Sequence, residues 1–213
     1  MMRPYYLTCF QSRDDTVPIV ERHHYTASLP STRYHFGLFN NFTLVGVAAY
    51  GKPATRQGRL ICGPEYEDRV LELKRVALIH NKPHEASRLI GGSLRLLRRE
   101  VGDAVVVSYA DTNQGHRGTI YQASNWDYFG TGAIKTDVTV KGLEHLHPAS
   151  IMDEFRGQTN RTALLRAKYG DRVYSRRRPA KHRYATFVGS HRFKREARAA
   201  MRHAAKPYPG GSI

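Results

Sequence analysis

The chain has 213 residues, 40% of them hydrophobic, which is enough for one sizeable domain with a real core and excludes global disorder. Lys and Arg number 34 against 18 Asp and Glu, a formal net charge of +16, and 15 basic against 2 acidic residues fall between Arg161 and Lys206. Two cysteines, Cys9 and Cys62, fit neither a disulfide framework nor a paired metal-ligand spacing, and no apolar run is long enough to span a bilayer.

Taken in chain order, YYLTCF (Tyr5–Phe10) reads as a first strand, and the opening MMRPYYLTCFQSRDD lacks the apolar region and cleavage site of a signal peptide. A reducing, cytoplasmic setting is therefore expected. Residues Asp14–Leu29 are polar and mixed, suiting short helices or loops, and contain RHHYTASLP. YHFGLF and FTLVGVAAYG flank Asn40-Asn41 and predict a hairpin. After a Gly/Pro-containing loop, Lys52–Pro64, comes the strand RVLELKRVALI. Past Pro83, Ala86, Leu89, Ile90, Ser93, Leu94 and Leu97 recur at three-and-four spacing and predict an amphipathic helix. AVVVSYA is a continuous apolar strand of the kind buried on both faces. HRGTIYQASNW reads as a shorter helix and AIKTDVTVKG as a strand. Two short helices follow Pro148, the second opening at Thr159 and closing at Gly170; RYATFVG is a late strand and HRFKREARAAMRHAA a basic final helix. This order predicts an α/β fold, a central mixed sheet flanked by helices with a basic C-terminal extension, dividing into a 1–150 core and a 151–213 basic part. The functional crevice should then lie at strand ends.

The one-sided basic tract is the electrostatic footprint of a polyanion, because each neutralised phosphate releases counterions. Tyr169, Tyr174, Tyr184, Phe187 and Phe193 are interleaved with it, which favours nucleic acid over a membrane surface; a merely solvated basic face is the bland alternative. Arg176, Arg177, Arg178, Lys181 and Arg183 are the candidate phosphate contacts, with Trp126 as a stacking surface.

Two strand-to-helix junctions carry candidate chemistry. In LIHNKPHEASRLIGG, a helix N-terminus meets Ser87, Arg88 and Gly91, and free amides with a bidentate guanidinium suit an anion there. Equally, Ser87 can satisfy first-turn backbone groups while Arg88 is solvated. In VSYADTNQGHRGTIYQASNW, Asp111 follows a buried strand, where it can accept hydrogen bonds from an exocyclic amine or take a proton. His116 can cap or shuttle a proton, and Tyr121 and Asn125 lie one helical turn apart. Singly, each has an ordinary structural role; together, beside a basic tract, they suggest a pocket for a planar, hydrogen-bonding ligand. Glu72 is the other charged group expected at this crevice. A metal held by His24 with Glu72 or Asp111 has no spacing to support it.

The segments RHHYTASLP, LELKRVAL, HEASRLIGGSLRLLRR, VVVSYADTNQGHRGTIYQASNWDYFGTG and HRYATFVGSHRFKR resemble, in that order, the Mom family of phage DNA-modification proteins. The resemblance implies a divergent acyltransferase fold of the GNAT type. It also implies conversion of adenine in phage DNA to a carbamoylmethyl-adenine at the 6-amino position, protecting the genome from host restriction in the host cytoplasm. Carried over by motif, it marks His24, Tyr25, Arg75, Ser87, Asp111 and Tyr121 as site residues. HEASRLIGG departs from the Q/R-x-x-G-x-G/A run with which acetyl-CoA-dependent members hold a pyrophosphate. The resemblance thus implies a small-molecule or carrier-borne donor acting on double-stranded DNA without naming that donor. The rival expectations are an acyltransferase acting on a protein or small molecule, and a non-catalytic nucleic-acid-binding protein.

Overall fold

The computed structural model describes residues 5–146 and 148–210. They form two compact units. Among these residues, one unit draws on 5–110, 116–131 and 182–210, the other on 111–115 and the described part of 132–181. The stretch after residue 150 is thus shared between the two.

The first unit is built on a seven-stranded sheet in the order β1-β2-β3-β4-β5-β9-β6. Its strands are β1 (Tyr6–Phe10), β2 (Tyr34–Asn40), β3 (Thr43–Gly51), β4 (Val70–Leu78), β5 (Ala104–Ala110), β6 (Asp127–Thr131) and β9 (His182–Val188). The predicted hairpin forms one residue beyond the expected turn. Asn41 and Phe42 both take positive φ, 46° and 68°, the geometry a two-residue turn needs to follow the strand twist. All neighbours pair antiparallel except β4 and β5. That parallel ladder holds only Val70, Leu71 and Glu72 against Val105, Val106 and Val107. Past Glu72, β4 stays with β3 as far as Leu78, and past Val107, β5 stays with β9 to Ala110. The two central strands therefore part, opening the sheet at their carboxyl ends.

Helix α1 (Arg13–His23) condenses from the stretch read as mixed. Ser12 caps it by accepting from the Asp15 amide, acidic residues fill its first turn, and Val20 packs against Val47 and Ala77. Helix α3 (Glu85–Val101), which follows the single-turn α2 (Arg56–Arg59), is the predicted amphipathic helix and crosses from β4 to β5. Leu89, Ile90 and Leu97 are wholly buried among Phe36, Leu38, Tyr50, Leu71, Leu73 and Val106. The opposite face of the sheet buries Val70, Val105, Val107 and Phe187 against Phe193 and Ala197 of α7 (His191–Ala199). The final helix ends at Ala199, short of the expected length.

HRGTIYQASNW forms only one helical turn, α4 (Thr119–Gln122). Asn125 takes φ +56° and the chain turns into β6, so Tyr121 and Asn125 do not share a helical face as the spacing suggested. Trp126 pulls the chain inward: it is 0% exposed, and the helix stops so that the indole can enter the core.

In the second unit, β7 (Lys135–Val140) pairs antiparallel with β8 (Val173–Arg178). Helices α5 (Pro148–Asp153) and α6 (Arg161–Tyr169) supply Ile151 and Leu165, which close on Val140 and Phe155. Gly170, at φ +56°, ends α6 as the sequence indicated, whereas the helix starts after Asn160 rather than at Thr159. No helix among the described residues is long and apolar enough to cross a membrane.

Candidate active site

Where β4 and β5 separate, Ser108 fills the first unladdered position. Its Oγ lies 2.8 Å from both the Leu73 carbonyl oxygen and the Tyr121 hydroxyl. A serine hydroxyl has one proton and a carbonyl can only accept, so the serine proton goes to Leu73 and the tyrosine proton to Ser108. The side chain thus substitutes for the missing ladder and fixes the phenol of α4 at the opening. Tyr121 packs its ring 5.2 Å from both Trp126 and Tyr184. Burial raises its pKa to about 12, the Ser108 hydrogen bond partly opposes this, and nearby Glu72 adds to it. Tyr121 is therefore a neutral phenol at physiological pH. Ser108→Ala should leave that phenol without its acceptor and cost about 1–3 kcal/mol. Adding Tyr121→Phe should recover part of the loss in urea titrations. A double mutant no more stable than Ser108→Ala would show that the phenol has another partner.

Glu72 stands at the last rung before the strands part. Its charge acts to raise the pKa of Lys74, Arg75, Tyr109 and Tyr121, so it lies within electrostatic reach of all four. Arg75 donates from Nε to the Ser28 carbonyl at 2.9 Å and from Nη1 to the Lys74 carbonyl at 2.7 Å. Burial lowers its pKa, while Tyr25 and Glu72 act to raise it. Tyr109 is pushed up by burial and then by Glu72, with the Arg183 guanidinium opposing through charge and a hydrogen bond.

The loop after α1 supplies the third wall. The Thr26 amide donates to His24 Nδ1 at 3.2 Å, so Nδ1 is the acceptor and the neutral ring carries its proton on Nε2. The His24 ring stacks on Tyr25 at 4.5 Å, and His116 meets Tyr25 edge-on at 5.6 Å. Tyr25 remains 48% exposed, so this aromatic group presents a ring surface to solvent beside an arginine. His24, Tyr25, Glu72, Arg75 and His116, singled out from sequence, converge in the first unit, with Tyr121 at the adjoining strand gap. Sequence reasoning missed Ser108, Tyr109 and the part played by Arg183. The signal for Ser108 was a hydroxyl in an otherwise apolar strand.

Asp111 belongs to the second unit. Its Oδ1 accepts from the Asn113 amide at 3.0 Å, and its Oδ2 lies 2.7 Å from Lys181 Nζ. Among the expected phosphate contacts, Arg178 pairs with Asp137 at 3.2 Å, whereas Arg176 and Arg177 are exposed on β8. Arg183 turns into the first unit and donates to the Phe129 carbonyl at 3.2 Å. Trp126, expected as a stacking surface, is a core residue with no face open to a base.

The start of α3 gives Ser87 and Arg88 internal partners. Ser87 donates to the His84 carbonyl at 3.1 Å, and the Arg88 guanidinium lies 4.8 Å over the Tyr6 ring. The fully buried Glu85 carboxylate accepts from the Lys82 amide and from Tyr6. A carboxylate sealed into this turn is the wrong charge beside a pyrophosphate, so the helix start does not fit a CoA-type diphosphate. The close approach here is at Gly92 rather than Gly91: a Cβ at Gly92 would overlap Thr8, whereas at Gly91 it would meet only the Arg95 side chain at 3.8 Å. Among the described residues, no three His, Cys, Asp or Glu side chains are grouped as metal ligands.

Comparison with known proteins gives the following similarities. The Mom protein family matches residues 10–210. The methylcarbamoylase Mom of Escherichia phage Mu is 30% identical over 129 residues, 59% of this chain and 52% of that protein, so the chain spans about half the length of this relative. FeeM, an N-acyl amino acid synthase from uncultured soil microbes, superposes with a TM-score of 0.46 at 16% identity, covering 93% of this chain and 95% of that one. An N-acetyltransferase from Staphylococcus aureus Mu50 gives 0.45 at 12% identity, covering 85% and 96%. With the match running through nearly every element of both units, the chain belongs to the Mom protein family.

Proposed function

We propose that this protein is a DNA-modifying transferase that places a carbamoylmethyl group on the 6-amino nitrogen of adenine in double-stranded DNA, shielding phage DNA from restriction in the host cytoplasm. Membership of the Mom family over residues 10–210 is the observation that carries this reading.

A duplex hides the adenine amino group, so the base is extruded before reaction. Tyr25, stacked on His24 and half exposed, offers the extruded ring a platform, and Arg75 beside it supplies positive charge. In the reaction a bond forms between the adenine nitrogen and the methylene carbon of the donor group, the donor's bond to that carbon breaks, and the nitrogen loses a proton. Asp111 accepts that proton. The conjugated amine is a weak nucleophile, and general-base help of this kind contributes about 10²–10⁴-fold. Tyr121, held neutral with its proton on Ser108, adds no negative charge to the site and can offer only its hydroxyl oxygen as an acceptor. Ser87 and Arg88 remain assigned to the donor, which must then displace their internal partners. The donor is a small molecule or a carrier-borne group.

Nucleoside mass spectrometry of plasmid DNA from cells expressing the protein tests the reading. A deoxyadenosine heavier by a carbamoylmethyl group is the expected result. Unmodified adenine beside soluble protein, together with acetyl transfer from acetyl-CoA to a protein or small molecule in the absence of DNA, would sink it. Exposed Arg176 and Arg177 are assigned to phosphates. Their replacement by Ala should weaken duplex binding and reduce the slope of log affinity against log salt by about one for each arginine removed. Fluorescence anisotropy over a salt series checks this, and an unchanged slope would move the DNA surface elsewhere.

A further inference from the structure

The free edge of the main sheet has a chemistry that the proposed reaction does not use. β1 is the terminal strand, and among the described residues it pairs only with β2. The Asn41 amide donates to the Tyr5 carbonyl and the Gln11 amide to the His35 carbonyl. In an antiparallel ladder the residues alternate, so odd-numbered positions of β1 spend their backbone groups on β2 and those of Tyr6, Thr8 and Phe10 point outward. Sheet edges in soluble proteins are commonly guarded by charge, proline or a covering element. Here, in a chain of net charge +16, Tyr5 to Ser12 contains no charged side chain. Leu7 and Phe10 are 47% and 51% exposed.

One face of this edge is overhung by arginines. Gly92 brings α3 so close to β1 that an added Cβ would fall on Thr8, and Arg88 sits on the Tyr6 ring. Arg95 and Arg99 continue the same stripe, three and seven residues beyond Gly92, and both are exposed. A strand added to β1 would therefore place every second side chain beneath Arg95 and Arg99, leaving Arg88 to the donor. Its intervening side chains would fall on the opposite face, beside Leu7.

We propose that β1 is a strand-addition site for an extended protein segment of alternating acidic and apolar residues. The outward backbone groups supply the ladder, the arginine stripe selects carboxylates, and Leu7 receives the apolar side chains. A second copy of this chain is disfavoured, because a twofold axis at the edge would set the two arginine stripes against each other. The proposal concerns a partner protein and stands whether or not the adenine chemistry is correct.

The test uses the full chain and a labelled, end-blocked peptide of alternating Glu and Val, followed by fluorescence anisotropy at low and high salt. The expected result is saturable binding that weakens with salt, and no binding of the matching Lys-Val peptide. Thr8→Pro removes an outward amide without touching the β1–β2 ladder and should abolish binding, provided its melting curve matches the wild type. Arg95→Glu with Arg99→Glu, both on an exposed face, should weaken binding by at least about tenfold. Absence of wild-type binding, or equal binding by folded Thr8→Pro, would overturn the proposal. So would full displacement of the peptide by duplex DNA together with loss of DNA affinity in the arginine variant, which would assign the stripe to nucleic acid. Concentration-dependent dimerisation of the wild type, lost in Thr8→Pro, would instead give the edge to a second copy and equally overturn it.

Discussion

Asp111→Asn should abolish adenine modification, a loss of at least about 100-fold in rate, while duplex DNA affinity stays nearly unchanged. The substitution keeps an oxygen for the Asn113 amide, so the turn after β5 retains its cap. It removes the proton acceptor and the charge opposite Lys181. That ion pair is only partly shielded from water on the lysine side, so its loss costs stability about 1 kcal/mol or less and the variant should fold. Lys181→Ala separates the two effects: it breaks the same pair but leaves the carboxylate, and should keep substantial modification when DNA is saturating. Modified nucleosides counted by mass spectrometry from both variants decide the matter. Wild-type levels from Asp111→Asn would remove Asp111 from the mechanism, and equal losses in both variants would reduce its role to holding Lys181.

The second large effect concerns folding. Gly118 has φ +79°, and a Cβ there would sit 2.3–2.9 Å from three atoms of the Tyr184 phenol ring. Tyr184 cannot easily yield. Its hydroxyl donates to the Arg117 carbonyl at 2.5 Å and accepts from Gln122 at 3.0 Å, while its ring packs on Tyr121 and Tyr128. Gly118→Ala therefore combines a left-handed backbone, about 1–2 kcal/mol, with overpacking of about 1–3 kcal/mol. Gly115→Ala is the control, since Gly115 has φ +68° and nothing within 4 Å of an added Cβ. Denaturant titration should show Gly118→Ala losing clearly more stability than Gly115→Ala. Equal losses would mean that the backbone conformation alone makes the glycine necessary and that the phenol gives way. Because Tyr184 supports Tyr121, a displaced ring should also lower modification by the Gly118→Ala fraction that remains folded.

Local pattern was enough for most of the main sheet and for its crossover helix. The three-and-four spacing of Leu89, Ile90, Ser93 and Leu97 can bury one stripe only as a helix, and AVVVSYA is apolar on both faces, as a central strand requires. The charge excess and the residue types of RHHYTASLP and SYAD were equally legible, since they need no knowledge of what they touch. β6 and β8 were not legible. β6 is a short strand whose place is set by Tyr128 meeting Tyr184, and β8 is a run of arginines whose strand form comes from pairing with β7. Nor could spacing reveal that Trp126 is drawn into the core, cutting the α4 helix to one turn and spoiling the Tyr121–Asn125 face.

Family, alternating α/β order, basic character and the residue types available at the ends of β4 and β5 are all properties of the linear chain. Where those two strands part is not, because the length of a ladder depends on which neighbour each strand follows. The same dependence turned Ser108 from an apolar-strand oddity into the group that bridges the gap. It also tied Arg178, Lys181 and Arg183 to internal partners while Arg176 and Arg177, beside them in the chain, stay exposed on β8. A charge count belongs to the chain, whereas the surface a charge presents is set by what folds beside it.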